Sequence, residues 1–256
     1  KVMSGVYPPG STFKPVVALA AVEAGLATPD YRVSCSGATT LGNHTFHCWK
    51  KGGHGTLDLE GGLKNSCDVF FYETARRLGI DKIQEVALKL GMGAPTGIEL
   101  PGEKSGFIPS RAWKQKRYGV AWQQGDTMSC GIGQGYVTAT PLQLALEVSR
   151  IASGRSVSPR LVHMVGGELT RRESAAPLDL SEQGLARVRE GMNQVTNVPG
   201  GTAYAFRIAE PGFEMAGKTG TAQVRAYSAE EHLRGVTKDA ALDWKLRDHG
   251  LFIAFA

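Results

Sequence analysis

A serine and a lysine three positions apart, Ser11 and Lys14, are the first pair in this chain that suggests catalysis. The stretch 8–10 (Pro-Pro-Gly) is a stiff, non-helical approach, and an apolar run follows it, so we predict a helix over residues 11–24. Residues three apart lie one turn apart on the same helix face, so the amine can reach the hydroxyl. An amine shielded from water can act as a general base. The same pattern also fits a capped helix with a solvated lysine.

Two further motifs of similar character occur later in the chain. Ser66 and Asp68 lie in a predicted second helix, and the triplet 218–220 (Lys-Thr-Gly) lies in a predicted strand. A Ser-x-x-Lys, a Ser-x-Asn-type element and a Lys-Thr-Gly triplet, in this order, are the pattern of penicillin-binding proteins and serine β-lactamases. The middle element usually ends in asparagine, and this chain has Asp68 there. A carboxylate at that place favours the charged forms of lysines close to it.

The first two motifs supply the groups that form and protonate an acyl intermediate. We assign Ser11 as the nucleophile and Lys14 as the base that takes its proton. Ser66 is predicted to relay that proton to the leaving amine, with Asp68 beside it in the catalytic group.

The third motif supplies the groups that bind the substrate. Lys218 is a cation that can influence the electrostatics around Ser66 and bind a substrate carboxylate. The hydroxyls of Thr219 and Thr221 can donate hydrogen bonds to the same carboxylate. Gly220 lets a substrate approach the strand backbone closely. The backbone N–H groups of Ser11 and Thr221 are predicted to form the oxyanion hole.

Most of the chain resembles the transpeptidase domain of class B penicillin-binding proteins, and more specifically the elongation-type subfamily known as penicillin-binding protein 2. The stretches that carry the resemblance are PGSTFKP (9–15), WKKGGHG (49–55), DVFFY (68–72), TGIEL (96–100), WKQKR (113–117), GDT (125–127), GIGQGYVTATP (131–141), GKTGTAQ (217–223) and RDH (247–249). The resemblance implies a β-lactamase/transpeptidase-like fold, with a central antiparallel sheet flanked by helices and a mainly helical subdomain. It also implies that the terminal strands of that sheet lie outside this sequence.

The resemblance also implies an activity and a setting. The expected enzyme is a serine-type peptidoglycan D,D-transpeptidase that cross-links stem peptides in cell-wall elongation and is acylated by β-lactams at Ser11. Its expected partners are a membrane glycan polymerase and elongation-complex proteins, at the periplasmic face of the bacterial inner membrane. A β-lactamase or D,D-carboxypeptidase, in which water resolves the acyl-enzyme, and a β-lactam sensor domain use the same three motifs and stay open as alternatives.

Four potential metal ligands fall within residues 35–67, namely Cys35, Cys48, His54 and Cys67. Three thiolates and an imidazole form a closed structural zinc site, and a glycine-rich segment without an obvious core would be stabilised by one. Elongation-type members of the family can carry zinc at this place, so the resemblance supports the same ligand set. A disulfide from Cys35 to Cys48 or Cys67, free buried thiols, and His47 in place of His54 stay open.

Composition limits the fold and the partners. The chain has 256 residues, of which 42% are hydrophobic and 21% charged, with a net charge of +5 and a pI of about 9.0. These values suit one large globular domain or two small ones, and the resemblance implies a single transpeptidase domain over 1–256. Runs of predicted helices with few strands near the end indicate the α+β, or mixed α/β, class. The sequence has no dense Lys/Arg run of the kind that indicates nucleic-acid binding, and it has no apolar run long enough to span a membrane.

Periodicity and turn residues predict the elements that position these motifs. Besides the first helix, helices are predicted at 63–78, 82–90, 141–153 and 181–195, and strands at 161–165, 213–224 and 250–256. Residues 28–62 are predicted to be irregular, with the proposed zinc segment at about 31–67, and the stretch from Gly91 to Gly125 is predicted to be rich in turns. Residues 226–248 are predicted to be a charged, mobile segment. Core packing is the default expectation for Trp49, Trp113 and Trp122, with a place in the lining of the substrate cleft left open for one of them, and Cys130 is predicted to be a core thiol.

Overall fold

The computed structural model of the chain describes residues 1–170, 174–224, 231 and 241–256. The helices are α1 (Lys14–Glu23), α2 (Leu59–Lys64), α3 (Asp68–Leu78), α4 (Ile80–Lys89), α5 (Arg111–Tyr118), α6 (Gln124–Gly131), α7 (Pro141–Ser153) and α8 (Glu182–Asn197). The strands are β1 (Val33–Cys35), β2 (Ala38–Leu41), β3 (His44–His47), β4 (Gly55–Leu57), β5 (Met164–Val165), β6 (Glu168–Leu169), β7 (Ala216–Ala222) and β8 (His249–Phe255). Short 3-10 helices cover Gly10–Phe13, Tyr204–Phe206 and Trp244–Leu246. The mixed α/β class predicted from the sequence is confirmed.

Helix α1 lies at the centre of the core. Every residue from Lys14 to Ala21 is buried, and the helix packs against α3, α4 and α8. A helix that is apolar on all sides is stable only when it is surrounded by other elements. Lys14, at its first position, is therefore held at the end of a rigid, buried rod. The predicted helix over 11–24 differs at its start, since Ser11 lies in the preceding 3-10 turn.

The main sheet consists of β7 and β8, which pair antiparallel with Lys218 opposite Ile253. Helix α8 packs on β7, and the 3-10 turn Gly10–Phe13 also lies against that strand. Lys218 and Ile253 are both buried, because side chains alternate between the two faces and theirs face the core. The sheet thus brings the third motif to the turn that carries the first.

The prediction of an irregular segment over residues 28–62 is wrong. Strand β1 pairs with β4 and β2 pairs with β3, both antiparallel, and α2 begins before residue 62. These strands have three or four residues each, which is too short for a clear alternating pattern in the sequence. The stretch before Gly125 likewise contains α5, whose N-cap is Ser110, and the first residue of α6.

The predicted helix over 63–78 is also corrected, because it is interrupted at residues 65–67. Helix α2 starts at Leu59 with Asp58 as its N-cap, and α3 starts again at Asp68 with Cys67 as its N-cap. Two capped starts require a turn between them.

The helices predicted at 82–90, 141–153 and 181–195 and the strands predicted at 213–224 and 250–256 are present, with ends that differ by at most a few residues. The predicted strand over 161–165 is only β5, paired with β6. Most of the charged stretch 226–248 lies outside the described residues. Within the part of the chain that the structure describes, no helix has the length and hydropathy needed to cross a bilayer.

Candidate active site

Ser11 lies in a tight turn between β7 and the loop that follows α6. Gly10, in a left-handed conformation with φ of 55°, donates its N–H to the carbonyl of Gly133 at 3.0 Å. A Cβ atom on Gly10 would lie 2.2 Å from the carbonyl oxygen of Thr221, so only glycine fits. The backbones of Ser11 and Thr221, predicted to form the oxyanion hole, are neighbours through this contact.

Gly220 has the same role on the strand side of this contact. A Cβ atom there would lie 2.7 Å from Cγ2 of Thr12 and 3.1 Å from its backbone nitrogen. Gly220 therefore allows the turn that carries Ser11 to pack directly against the strand.

Lys14 is fully buried and uses all three of its N–H donors. Its Nζ donates to the carbonyl of Ser66 at 2.8 Å, to Ser66 Oγ at 3.2 Å and to Asp68 Oδ1 at 2.7 Å. The sequence predicted that Lys14 would reach Ser11, but these hydrogen bonds go instead to the turn that precedes α3. The carboxylate there outcompetes a neutral hydroxyl for an ammonium group.

Ser66 lies in the turn between α2 and α3 rather than on a helix. Its φ of 49° makes it the one non-glycine residue with a positive φ in the described ranges. Such a conformation costs on the order of 1–3 kcal/mol and persists only where its surroundings enforce it. The turn directs both the carbonyl and the hydroxyl of Ser66 toward Lys14.

Lys218 completes the arrangement from the strand. Its Nζ donates to Ser66 Oγ at 2.8 Å and to the carbonyl of Thr219 at 3.0 Å. Ser66 Oγ therefore receives an N–H from each of two lysines, Lys14 and Lys218. Both of its lone pairs then accept, and its own proton stays available for transfer.

The charge of Lys218 is poorly compensated. Burial lowers the pKa of Lys218 well below its usual range, the charge of Lys14 lowers it further, and Asp68 opposes both. The expectation that Asp68 favours the charged form is right in direction for Lys218, but burial and Lys14 outweigh it. Two buried lysines share one carboxylate, so the site attracts an anionic group.

Asp68 accepts hydrogen bonds at both of its oxygens. Lys14 Nζ donates to Oδ1, and the backbone N–H of Trp49 donates to Oδ2 at 2.9 Å. Asparagine, with one acceptor oxygen, has no equivalent for the second bond.

The default expectation that Trp49 packs in the core is wrong, and its contact with the turn of Ser66 was not predicted from the sequence. The residue is 59% exposed, and its Nε1 donates to the carbonyls of Asn65 (3.2 Å) and Ser66 (3.1 Å). The signal in the sequence was its place at the start of the WKKGGHG stretch, directly after Cys48. Gln134 was missed as well; its Nε2 donates to the carbonyl of Thr221 at 3.2 Å.

The four potential metal ligands do come together. One ligand atom each from Cys35, Cys48, His54 and Cys67 lies within 4.8 Å of all the others. Cys35 ends β1, Cys48 follows β3, His54 precedes β4 and Cys67 caps α3, where its Sγ accepts from the N–H of Phe70 at 3.4 Å. His54 Nδ1 lies 3.7 Å from Cys35 Sγ and 3.5 Å from Cys48 Sγ.

The chemistry of this donor set fits a tetrahedral metal ion. All four cysteines of the chain lie in its described part and are free thiols, and Cys130 is buried apart from the cluster, as predicted. A hydrogen bond from Cys67 lowers the pKa of Cys48 to about 5, while the same contact and burial raise the pKa of Cys67. His54 Nε2 is buried without a hydrogen-bond partner among the described residues. Zinc binds cysteine in its thiolate form. In a tetrahedral site with Zn–S bonds of about 2.3 Å, the sulfur atoms lie about 3.8 Å from one another.

Comparison with known proteins identifies the family. The model of the penicillin binding protein transpeptidase domain matches residues 1–256. Peptidoglycan D,D-transpeptidase MrdA of Salmonella typhimurium strain LT2 is 39% identical over an alignment of 265 residues, which covers 100% of this chain and 42% of that protein. This chain thus spans less than half the length of that relative.

Two solved structures share the fold. Pseudomonas aeruginosa PBP2 in complex with WCK 5153 superposes with a TM-score of 0.83 at 36% identity, over 100% of this chain and 54% of that one. PBP2 of Helicobacter pylori in complex with MreC gives a TM-score of 0.84 at 31% identity, over 100% of this chain and 44% of that one. Because the family match and both superpositions extend over the whole chain, this protein belongs to the penicillin-binding protein transpeptidase domain family.

Proposed function

We propose that this chain is the acyl-transfer domain of an elongation-type peptidoglycan D,D-transpeptidase. The observation that carries the proposal is Ser66 Oγ, which bridges the buried amines of Lys14 and Lys218 beside the turn of Ser11. Family membership and the name of the MrdA relative support transfer to an amine as the reaction.

In the first step, Ser11 Oγ attacks the carbonyl carbon between the two terminal D-alanines of a stem peptide. Lys14 in its unprotonated form takes the proton of Ser11, and the developing oxyanion accepts hydrogen bonds from the N–H groups of Ser11 and Thr221. The close contact of the Gly10 turn with Thr221 supports this pair of donors.

In the second step, the bond from the carbonyl carbon to nitrogen breaks, and D-alanine leaves. The proton passes from Lys14 through Ser66 Oγ to the leaving nitrogen, a route that the 3.2 Å contact of Lys14 Nζ with Ser66 Oγ supports. An amine of a neighbouring stem then attacks the acyl-enzyme, returns Ser11 to its free form and completes the cross-link.

The terminal carboxylate of the substrate is the anion that the site attracts. Lys218 supplies the charge, and Thr219 and Thr221 supply hydroxyls along the same strand. β-Lactams carry a carboxylate and a strained amide in a similar arrangement, so they acylate Ser11 in place of the stem peptide.

The cluster of Cys35, Cys48, His54 and Cys67 is proposed to hold one structural zinc ion. The ion would tie the β1–β4 strand pair and the end of the β2–β3 hairpin to the start of α3, and it would supply no chemistry to the reaction. The distances within the cluster and the lowered pKa of Cys48 support this assignment.

The setting of the whole protein is also a proposal. The complex of Helicobacter pylori PBP2 with MreC supports a partner of the MreC type, and the resemblance supports a membrane glycan polymerase as a second partner. Partners of these kinds support the proposal that the domain acts at the periplasmic face of the inner membrane.

The test is product analysis with a stem-peptide donor and an amine acceptor. A transpeptidase releases D-alanine and forms the cross-linked product in a comparable amount. Release of D-alanine with hydrolysed donor alone identifies a carboxypeptidase, and neither product alongside stable β-lactam acylation identifies a sensor. The Ser11→Ala variant is expected to abolish release.

A further inference from the structure

The indole of Trp49 holds the strained turn that carries Ser66. Its single N–H is shared between the carbonyls of Asn65 and Ser66, at 3.2 and 3.1 Å. The Ser66 carbonyl also accepts from Lys14 Nζ, so two donors fill its two lone pairs. A left-handed serine needs such external support, because the conformation is unfavourable for a side chain with a Cβ atom.

The backbone of Trp49 fixes the other side of the same group. Its N–H donates to Asp68 Oδ2, while Lys14 donates to Oδ1. Trp49 therefore contacts both residues to which Lys14 is bonded, once through its side chain and once through its main chain.

Contact with the catalytic turn explains why a largely exposed tryptophan occurs at this position. Trp49 is 59% exposed, yet its N–H points inward to the carbonyls of Asn65 and Ser66. Its ring also lies edge-on to His54, with centroids 5.1 Å apart, and it follows Cys48 directly in the chain. The residue thus joins the thiol-imidazole cluster to the turn of Ser66.

We propose that Trp49 is a positioning residue for acylation, which keeps Ser66 Oγ between Lys14 and Lys218 by hydrogen bonding to the Ser66 carbonyl. The proposal rests on the proposed function, because it assigns Ser66 to the proton path. It predicts an effect on the chemical step rather than on the affinity for the acylating ligand.

The experiment measures acylation by benzylpenicillin over a range of concentrations in the intact protein, to separate the limiting acylation rate from the dissociation constant of the preceding complex. Trp49→Phe removes the N–H donor and keeps an aromatic ring. The limiting rate is expected to fall about tenfold, as for the loss of one hydrogen bond in the transition state, with the dissociation constant unchanged within about twofold.

Trp122→Phe is the matched control. The indole N–H of Trp122 donates to Thr127 Oγ1 at 2.7 Å, so this variant also loses one indole hydrogen bond. Its limiting acylation rate is expected to equal that of the wild type.

Replacement of Trp49 by 3-benzothienylalanine keeps the shape of the side chain and removes only the N–H, so it tests the donor even if Trp49→Phe does not fold. A wild-type limiting rate in this variant would overturn the proposal, as would an effect confined to the dissociation constant, which would indicate direct contact with the ligand. If the wild-type protein is itself not acylated at Ser11, the proposed function fails. If the wild type is acylated and the variants match it, only the role of Trp49 fails.

Discussion

Lys14 Nζ lies 2.7 Å from Asp68 Oδ1, so the protonated form of this amine is held in an ion pair inside the protein, and its unprotonated form is the one that we assign as the base for Ser11. Lys14 is fully buried, and the side chain of Asp68 is 13% exposed. Removing such charges from water is costly, and the remaining hydrogen bonds must offset the cost. In this site Ser66 accepts hydrogen bonds from Lys14, and the backbone N–H of Trp49 donates to Asp68. Asp68 must therefore accept from two donors.

Asp68→Asn is expected to slow acylation about tenfold, because the amide has one acceptor oxygen for two donors. Either Lys14 Nζ or the N–H of Trp49 loses its partner. The measurement is the second-order rate constant for acylation by a labelled penicillin.

Asp126→Asn provides the control for this prediction. Asp126 also binds a buried lysine, Lys114, and a backbone N–H, that of Gln123. Its variant should lose stability but keep the acylation rate. Asp68→Asn with the wild-type rate would show that the second acceptor is dispensable.

Lys218 is expected to set the alkaline limit of acylation. Burial and the charge of Lys14 lower its pKa, so it loses its charge as pH rises through a value below 10.5, and binding of a substrate carboxylate weakens with it. Lys218→Arg keeps its charge at all these values and should move the alkaline limb of the pH profile upward.

The same shift has a consequence for stability. The unfolded chain binds the proton of Lys218 more tightly than the folded protein does, so this residue's contribution to stability increases as pH rises from the lowered pKa toward 10.5.

If the alkaline limb of the acylation profile is the same in Lys218→Arg as in the wild type, that limb belongs to another group.

The cysteine cluster is expected to hold about one zinc ion per chain. Metal analysis of the purified protein measures this directly. Cys35→Ser should abolish binding and lower the melting temperature by roughly 4–8 °C, as for a loss of about 2 kcal/mol.

Cys130→Ser is the control variant, because Cys130 is buried outside the cluster. It should keep its zinc. Metal-free protein whose melting temperature does not respond to a chelator, or a disulfide found by mass spectrometry, would contradict the zinc assignment.

Glu147, on α7, is expected to destabilise this chain at neutral pH. Both of its carboxylate oxygens are buried without a hydrogen-bond partner among the described residues, and burial raises its pKa well above 4.5. The folded state therefore binds the proton more tightly than the unfolded state, and stability falls as pH rises from about 4.5 through the raised pKa.

Glu147→Leu should increase the free energy of unfolding at pH 7 by about 1–3 kcal/mol and flatten its pH dependence. Denaturant unfolding at several pH values measures both. Glu85→Gln, at an exposed position on α4, should change stability by less than about 0.5 kcal/mol. A less stable Glu147→Leu protein at pH 7 would show that Glu147 has a stabilising role.

The sequence predicted the residues of the candidate site but not their contacts. Ser11, Lys14, Ser66 and Lys218 belong to motifs with fixed spacing, and the structure brings Lys14, Ser66 and Lys218 into direct contact. The bond between Lys14 and Ser11 was predicted from helical spacing, yet Lys14 is directed to Asp68, which is 54 residues away in the chain. Local spacing does not show which distant acceptor competes for an ammonium group.

The turn at Ser66 and the role of Trp49 are tertiary effects. A left-handed serine gives no signal in the sequence, so the run 63–78 was predicted as one helix. Core packing was only the default expectation for Trp49, and only the fold shows that its N–H is shared between two carbonyls. The short strands of the zinc segment are defined by pairing with each other rather than by their own composition.

Ser11 is proposed to be the nucleophile that becomes acylated. Peptide mapping by mass spectrometry after treatment with benzylpenicillin measures this. A single covalent adduct is expected on the peptide that contains Ser11, and none in Ser11→Ala. An unmodified Ser11 in the wild type, or an adduct that persists in Ser11→Ala, would contradict it.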